Sequence, residues 1–580
     1  MSTEPHHIPH KERVLSKGFA GRLRRLARPL SLGGSLVAVV FWWYSLMPTL
    51  IPRPWPMQAG LSAVCVIVGY AIGALIGWGF RASSRRWGWH PRRRWRLWLW
   101  AGLGAVWLVA VAGGALAWTQ WQNVQRDVMG MPRLDLAAPA LMIGGAALAV
   151  ILLLLVGRLL RRALGALVRY SRRVGRGHPA APAVALAGMA LVVLVCGMLA
   201  FEGLTRLATW HYGAENDSSE AGIAQPRSPE VSGSPDSLVP WSSLGRQGRT
   251  FVSETTTPAE LAAFNGDAPL VSPVRVYAGI KSADTLEARA SLAVRELERA
   301  GGFDRAVIAV WIPTGTGWMI SESADALEQL YGGNSAIVGI QYSVLPSLFT
   351  VFMKPGEAAK AGTALFNAVE QRWSELPEDQ RPKLLLFGKS LGTEGVEAPF
   401  AASDGRSSVG NLVARTDGAL IVGATYVNPL LTQLTREREP GSPVWAPVFD
   451  QGRSVRFVSG DPHQHAIDSP WLEPRIVYLQ HPSDPVPYWG IDAIWKPPEW
   501  LDAPRGYGVP AEATWFPIVT AILAVSDQID QLSPPDGFGH NYGTDYVQGW
   551  STVVPPTGWT AADTRRLEEY LAHHEYDELE

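Results

Sequence analysis

Cysteine is almost absent from this chain: two residues among 580, Cys65 and Cys196. Both lie inside long apolar runs, so the region after residue 201 has no thiol, no disulfide and no cysteine metal site. Its stability must come from packing. Acidic residues are equally scarce in the first part: residues 1–201 hold 4 of the 52 Asp and Glu but 24 of the 51 Lys and Arg, leaving 27 basic against 48 acidic afterwards. A formal net charge of −1 therefore conceals two regions of opposite sign, which points to two environments. The apolar runs of the basic part contain no midspan Asp, Glu, Lys or Arg, the usual marks of an ion or substrate path. No internal repeat is present.

Five apolar runs occupy the basic part, at 33–51, 60–80, 97–118, 137–157 and 182–201. Each is near the roughly 20 residues that cross a bilayer, and together they predict an integral membrane domain of about five transmembrane helices. The first run is flanked by "IPRPWP" rather than a small-residue cleavage site, so it reads as a helix and not as a cleavable signal. The segment before it, the 81–96 loop and the stretch 158–177 carry seven Lys and Arg each, whereas the alternate loops carry only Arg53, then Arg126 and Arg133. By the positive-inside rule the amino terminus is expected in the cytoplasm. An odd number of spans in the plasma membrane then places everything after residue 201 outside. Basic clusters confined to alternate short loops are explained by topology, and nucleic acid is not expected as a partner.

Between about 212 and 248 the composition turns to Ser, Pro, Gly and acidic residues, as in "AENDSSEAGIAQPRSPEVSGSPDS", which reads as a linker or a mobile surface segment. Short apolar runs then alternate with helical stretches: "VRVYAGI", "RAVIAVWI", "SAIVGIQY", "KLLLFG", "GALIVGA" and "RIVYLQ" are the predicted strands. Continuous rather than alternating apolar strands, separated by amphipathic helices, predict an α/β domain with a mostly parallel sheet and helices on both faces.

"KLLLFGKSLGTEG" carries the chemistry. Gly388-Lys389-Ser390-Leu391-Gly392 fits G-x-S-x-G at the end of a buried strand and the start of a helix, the context a nucleophile elbow requires. The turn is so tight that Gly388 and Gly392 are needed for lack of room, and the Leu391 amide can face a developing oxyanion. A nucleophilic serine needs a base, and the base an orienting acid, here expected in the chain order serine, acid, histidine. "RIVYLQ" runs into "HPSDPVPYW", which puts Asp484 in a loop just past a strand's carboxyl end. "PPDGFGHNYG" offers His540 on a glycine-rich loop; His463 and His465 precede the acid and His481 is only three residues from it, so these are weaker candidates. The second oxyanion donor is sought in "AVWIPTGTGW", at Thr314, Gly315, Thr316 and Gly317, where a glycine-rich backbone follows another buried strand. No G-K-[ST] follows, so this loop is not read as a phosphate cradle. Neither a cofactor nor a metal is expected.

The segments "RVYAGIKSADTLEARASLAVRELERAGGFDRAVIAVWIPTGTGW", "QYSVLPS", "GKSLGTEG", "GSPVWAPVFDQGRSVRF", "YLQHPSDPVPYWG" and "GFGHNYG" together resemble the bacterial membrane-bound α/β-hydrolase family, which joins a multi-helix amino-terminal domain to an exported catalytic domain. The resemblance covers nearly the whole chain. It implies a transmembrane helical domain over 1–205, a linker over 206–248 and an α/β-hydrolase domain over 249–580, with a triad of Ser390, Asp484 and His540. One departure is Lys389, where relatives often carry glutamate; a cation beside the nucleophile either alters head-group preference or simply packs nearby. The expected reaction is acyl transfer to water from a membrane lipid or another acyl ester of the cell envelope. Two alternatives stay open: an acyltransferase using the same residues, and an inactive hydrolase fold that binds or accompanies transport. The sequence says nothing of oligomeric state.

The charge pattern generates a topology prediction. A periplasm-active reporter fused after residue 245 should be active and one fused within the 81–96 loop inactive; the reverse pattern would contradict the orientation.

Overall fold

A computed structural model of the chain describes residues 30–86, 93–174, 181–266, 269–461, 464 and 466–574. The basic amino-terminal segment, parts of both arginine-rich loops, and His463 and His465 lie outside the described residues.

Five helices come first: α1 Leu32–Ser45, α2 Trp55–Arg86, α3 Arg93–Val128, α4 Ala138–Val174 and α5 Ala181–Asp217. Within α2 to α5, the stretches Trp55–Phe80, Leu97–Val128, Ala138–Tyr170 and Ala187–Asp217 are long and apolar enough to cross a membrane. The remaining expected span fails on length. The run 33–51 yields only the 14 residues of α1, about 21 Å of helix against roughly 30 Å of hydrocarbon. Pro48, Pro52 and Pro54 are the cause, because each removes a backbone donor and its ring clashes with the preceding turn. Four helices, not five, therefore have spanning length, and α1 is their shorter partner. It lies antiparallel to α2, with Gly33 against Gly73 at one end and Ser45 Oγ bonded to Ser62 Oγ at 2.9 Å at the other. A Cβ on Gly73 would stand 2.2 Å from the Gly33 oxygen, so glycine is what permits this approach.

The ends of α1, α3 and α5 meet the second domain. Beyond α1, Thr49 Oγ1 donates to Asp527 Oδ1 at 2.7 Å; at the end of α3, Tyr507 Oη reaches the Val128 carbonyl at 3.5 Å; at the end of α5, Gln341 Nε2 donates to Asn216 Oδ1 at 2.9 Å. The arginine-rich stretches expected as loops are largely helical where described: 81–86 end α2, 93–96 begin α3 and 158–174 end α4, at the helix ends away from these contacts. Buried Arg53 secures the junction: its amide donates to Gln122 Oε1 at 2.6 Å and its guanidinium to Thr49 Oγ1 at 3.1 Å.

The second domain is built on seven parallel strands: β1 Val274–Ala278, β2 Val307–Ile312, β3 Ser335–Ile340, β4 Lys383–Lys389, β5 Gly418–Val422, β6 Val455–Val458 and β7 Arg475–Leu479. Their order in the sheet is β1-β3-β2-β4-β5-β7-β6. Ile308, Val310, Leu384 and Leu386 face one core with the helices Leu286–Arg299 and Glu357–Ser374; Ala309, Trp311, Leu385 and Phe387 face another with Ser321–Leu330 and Asp545–Val553. Apolar residues at every strand position follow from having both faces covered. Strand β6 had not been expected from the sequence. It is an edge strand whose burial alternates and which contains Arg456, so it offers no continuous apolar run.

The stretch expected as a linker is packed in place. α5 runs unbroken past residue 205, and beyond it Val231 bridges Arg275 of β1 while Ser237 Oγ and the Leu238 amide bond the buried carboxylate of Glu296.

Arg275 is fully buried on β1 and is held by Glu328 (Nε–Oε1 2.6 Å), Asp325 (Nη2–Oδ1 2.7 Å) and the Phe251 carbonyl. Removing one partner leaves a buried charge short of compensation, so Glu328→Ala should cost about 3–5 kcal/mol. A calorimetric scan in detergent should show a clear fall in the domain's melting midpoint. An unchanged midpoint would contradict the dependence of this edge on the ion cluster.

Candidate active site

Strand β4 lies between β2 and β5 in the sheet, and its end delivers Ser390. Ser390 has φ 54°, a left-handed conformation that costs a non-glycine residue about 1 kcal/mol or more. Its amide donates to the Val422 carbonyl of β5 at 3.0 Å, which ties the turn to the neighbouring strand. A Cβ on Gly392 would stand 2.1 Å from the Ile312 carbonyl of β2, and one on Gly388 would stand 2.8 Å from the Gly392 backbone. Both glycines are therefore steric requirements of a sharp turn crowded between two strand ends. Leu391 and the short helix Gly392–Glu397 follow.

Asp484 and His540 come from separate loops and meet. Asp484 sits five residues past β7; His540 lies before the helix Asp545–Val553. Both are fully buried, with His540 Nδ1 at 2.7 Å from Asp484 Oδ2. Asp484 accepts two further bonds, from the Val486 amide to Oδ1 at 2.9 Å and from the Tyr542 hydroxyl to Oδ2 at 2.7 Å. Burial alone would raise this carboxyl, but the charge and hydrogen bond of His540 with the two other donors outweigh it and hold the group below its ordinary value. Burial and the adjacent carboxylate push the Tyr542 phenol well up, so it remains a donor. With Nδ1–H assigned to Asp484, Nε2 of the imidazole is left as an acceptor. That atom is buried and has no hydrogen-bond partner among the described residues.

The imidazole is packed against the elbow's neighbour strand. Gly423, directly after β5 and at φ 54°, would place a Cβ 2.4 Å from His540 Cε1. The preceding residue, Val422, is the one whose carbonyl holds the Ser390 amide. Ser390 and His540 do not share a hydrogen bond in this structure. Ser390 and Leu391 line a mostly apolar cavity of about 180 Å³, walled in part by Leu348, Phe352, Trp489 and Val525.

The loop after β2 is folded on itself. The Thr314 amide donates to the Trp318 carbonyl at 3.2 Å, the Gly315 amide to Ser347 Oγ at 3.1 Å and the Gly317 amide to the Thr314 carbonyl at 3.0 Å. These three expected backbone donors are thus engaged. The hydroxyls of Thr314 and Thr316 are buried and lack a partner among the described residues. Lys389 is buried, with Nζ 5.0 Å from the centre of the Trp318 ring, and lines a small cavity beside Glu322 rather than the one above Ser390. Burial pushes Glu322 up to about 7 despite the nearby ammonium.

Three features had not been read from the sequence. Tyr542 adds a donor to Asp484. His481, a weaker candidate for base, stacks on Tyr542 at 4.2 Å and is spent in bonds to Asp545 (2.8 Å) and the Gly539 carbonyl (3.0 Å). Ser483 Oγ accepts from the Gly539 amide at 3.0 Å, which stitches the acid loop to the histidine loop. No spacing rule singles these residues out, because each acts across two loops distant in sequence. Asp461 accepts from the Tyr507 amide at 2.7 Å and belongs to a different contact.

Residues 274–567, more than half of the chain, match the family model described as the alpha/beta-hydrolase family, and residues 46–255 match the model of that family's N-terminus. No match was found among curated proteins or among solved structures. The chain belongs to the alpha/beta-hydrolase family and carries both its hydrolase domain and its N-terminal region.

Proposed function

We propose that this protein is a membrane-anchored serine hydrolase that cleaves acyl esters, with Ser390 as nucleophile, His540 as base and Asp484 as the orienting acid. The observation that carries this reading is the buried Asp484–His540 pair, with an unpartnered Nε2, packed on the strand that holds the strained Ser390. In the reaction Nε2 takes the Ser390 hydroxyl proton as Oγ bonds the ester carbonyl carbon. The oxyanion is received by the Leu391 amide, which follows the nucleophile directly. Collapse breaks the ester bond, the imidazolium gives its proton to the departing alcohol, and water then releases the acyl group by the same steps. The apolar cavity beside Ser390 suits an acyl chain and favours a lipid or another envelope ester as substrate.

The catalytic domain docks at the ends of the helices opposite the arginine-rich loops, which supports an extracytoplasmic active site with those loops in the cytoplasm.

Hydrolysis of p-nitrophenyl butyrate tests the reading. Ser390→Ala should abolish turnover, and Asp484→Asn should lower kcat by roughly 10⁴, because the amide favours the wrong imidazole tautomer. Tyr542→Phe removes one hydrogen bond of about 1–1.5 kcal/mol and should cost about five- to tenfold. Near-normal turnover by Ser390→Ala would remove the proposal.

A further inference from the structure

The helix Val519–Ile529 belongs to the catalytic half of the chain, yet it buries its first turns in the membrane region. Val519 and Leu523 share one apolar cluster with Phe41 of α1 and Cys65 of α2. Phe516, just before the helix, stacks on Tyr44 at 4.0 Å and meets Phe41 edge-on at 5.5 Å. Phe41 in turn fills the space beside Gly69, where a Cβ would stand 2.6 Å from its ring. Gly69 lies near the middle of the Trp55–Phe80 span. The segment therefore packs level with a residue near the middle of that candidate span.

The other end of the same helix forms a wall of the cavity above Ser390, through Val525, Gln528 and Ile529. Val525 is 45% exposed and Ile529 63%, and across the mouth Leu348 is 40% and Phe352 51% exposed. Apolar residues exposed together around a cavity mark a binding surface rather than ordinary exterior. One short helix thus joins the two places: Ile518 and Ile522, partly buried in the cluster with α1 and α2, precede Val525 and Ile529 at the cavity beside Ser390.

We infer that the substrate is a long-chain acyl ester resident in the bilayer, and that its chain enters the cavity sideways along Val519–Ile529 without leaving apolar surroundings. This rests on the reading of Ser390 as the nucleophile. A chain extracted through water would have to expose its methylenes first, whereas the apolar face of this helix keeps them covered.

The test uses the full chain in phosphatidylcholine liposomes containing a trace of phosphatidylcholine with a diazirine at the end of one acyl chain. Photolysis followed by peptide mapping should place cross-links on 347–353 and 519–531, in wild type and in Ser390→Ala alike. Val525→Asp, which sets a charge at the mouth, should lower these cross-links at least fivefold while those on α4 persist, showing that the protein is inserted and folded. Absence of cavity cross-links in wild type, or cross-links unchanged by Val525→Asp, would overturn the entry path. In parallel, hydrolysis of a long-chain ester at fixed bulk concentration should track its mole fraction in the bilayer; a rate that follows bulk concentration instead would also overturn it. Cross-linking without any hydrolysis would support the path and overturn the hydrolase reading.

Discussion

The close packing of three strand ends governs the rest of the site. Ser390 turns in a left-handed conformation with its amide on Val422, Gly392 pressed to the Ile312 carbonyl, and Gly423 pressed to the His540 ring. Strands β2, β4 and β5 are neighbours in the sheet, so this geometry is set by ladder register rather than by loop flexibility. A residue other than glycine at 392 would meet main chain at 2.1 Å and have to move the strand itself. The strain at Ser390 persists because its neighbours over-determine it.

Loops alone would not hold Asp484 and His540 to hydrogen-bonding distance. Here the acid loop after β7 and the histidine loop before the helix Asp545–Val553 are joined at Ser483–Gly539, His481–Gly539, His481–Asp545 and Tyr542–Asp484. Three donors on one buried carboxylate keep it ionised in a place where burial would otherwise neutralise it. The amino-terminal helical region also reaches this assembly: Ile51, beyond α1, lies against Gly539, where a Cβ would stand 3.2 Å from its side chain. The helical region therefore packs on the loop that carries His540.

Much of this was legible in the sequence where the physics is local. Six of the seven strands announced themselves as continuous apolar runs, and the glycines around Ser390 marked a turn with no room for a Cβ. Chain order singles out Asp484 and His540, and the structure places them 2.7 Å apart. What escaped depends on tertiary context. Strand β6 is half exposed, Tyr542 acts only through a partner 58 residues away, and the Ser/Pro/Gly-rich stretch reads as solvent-loving although Glu296 and Arg275 engage it. Hydropathy alone overstates the length of α1, which ends at Ser45 ahead of Pro48, Pro52 and Pro54. The run "FPIVTAILAV" is too short to be read as a span, and only packing reveals its place among α1 and α2.

The central claim is that His540 activates Ser390, and the most direct measurement is fluorophosphonate labelling of membranes followed by mass mapping of the adduct. The account predicts a single phosphonate on Ser390 in wild type and none in His540→Ala, with His481→Ala still labelled on Ser390. A His540→Ala protein that labels Ser390 at the wild-type rate would contradict it.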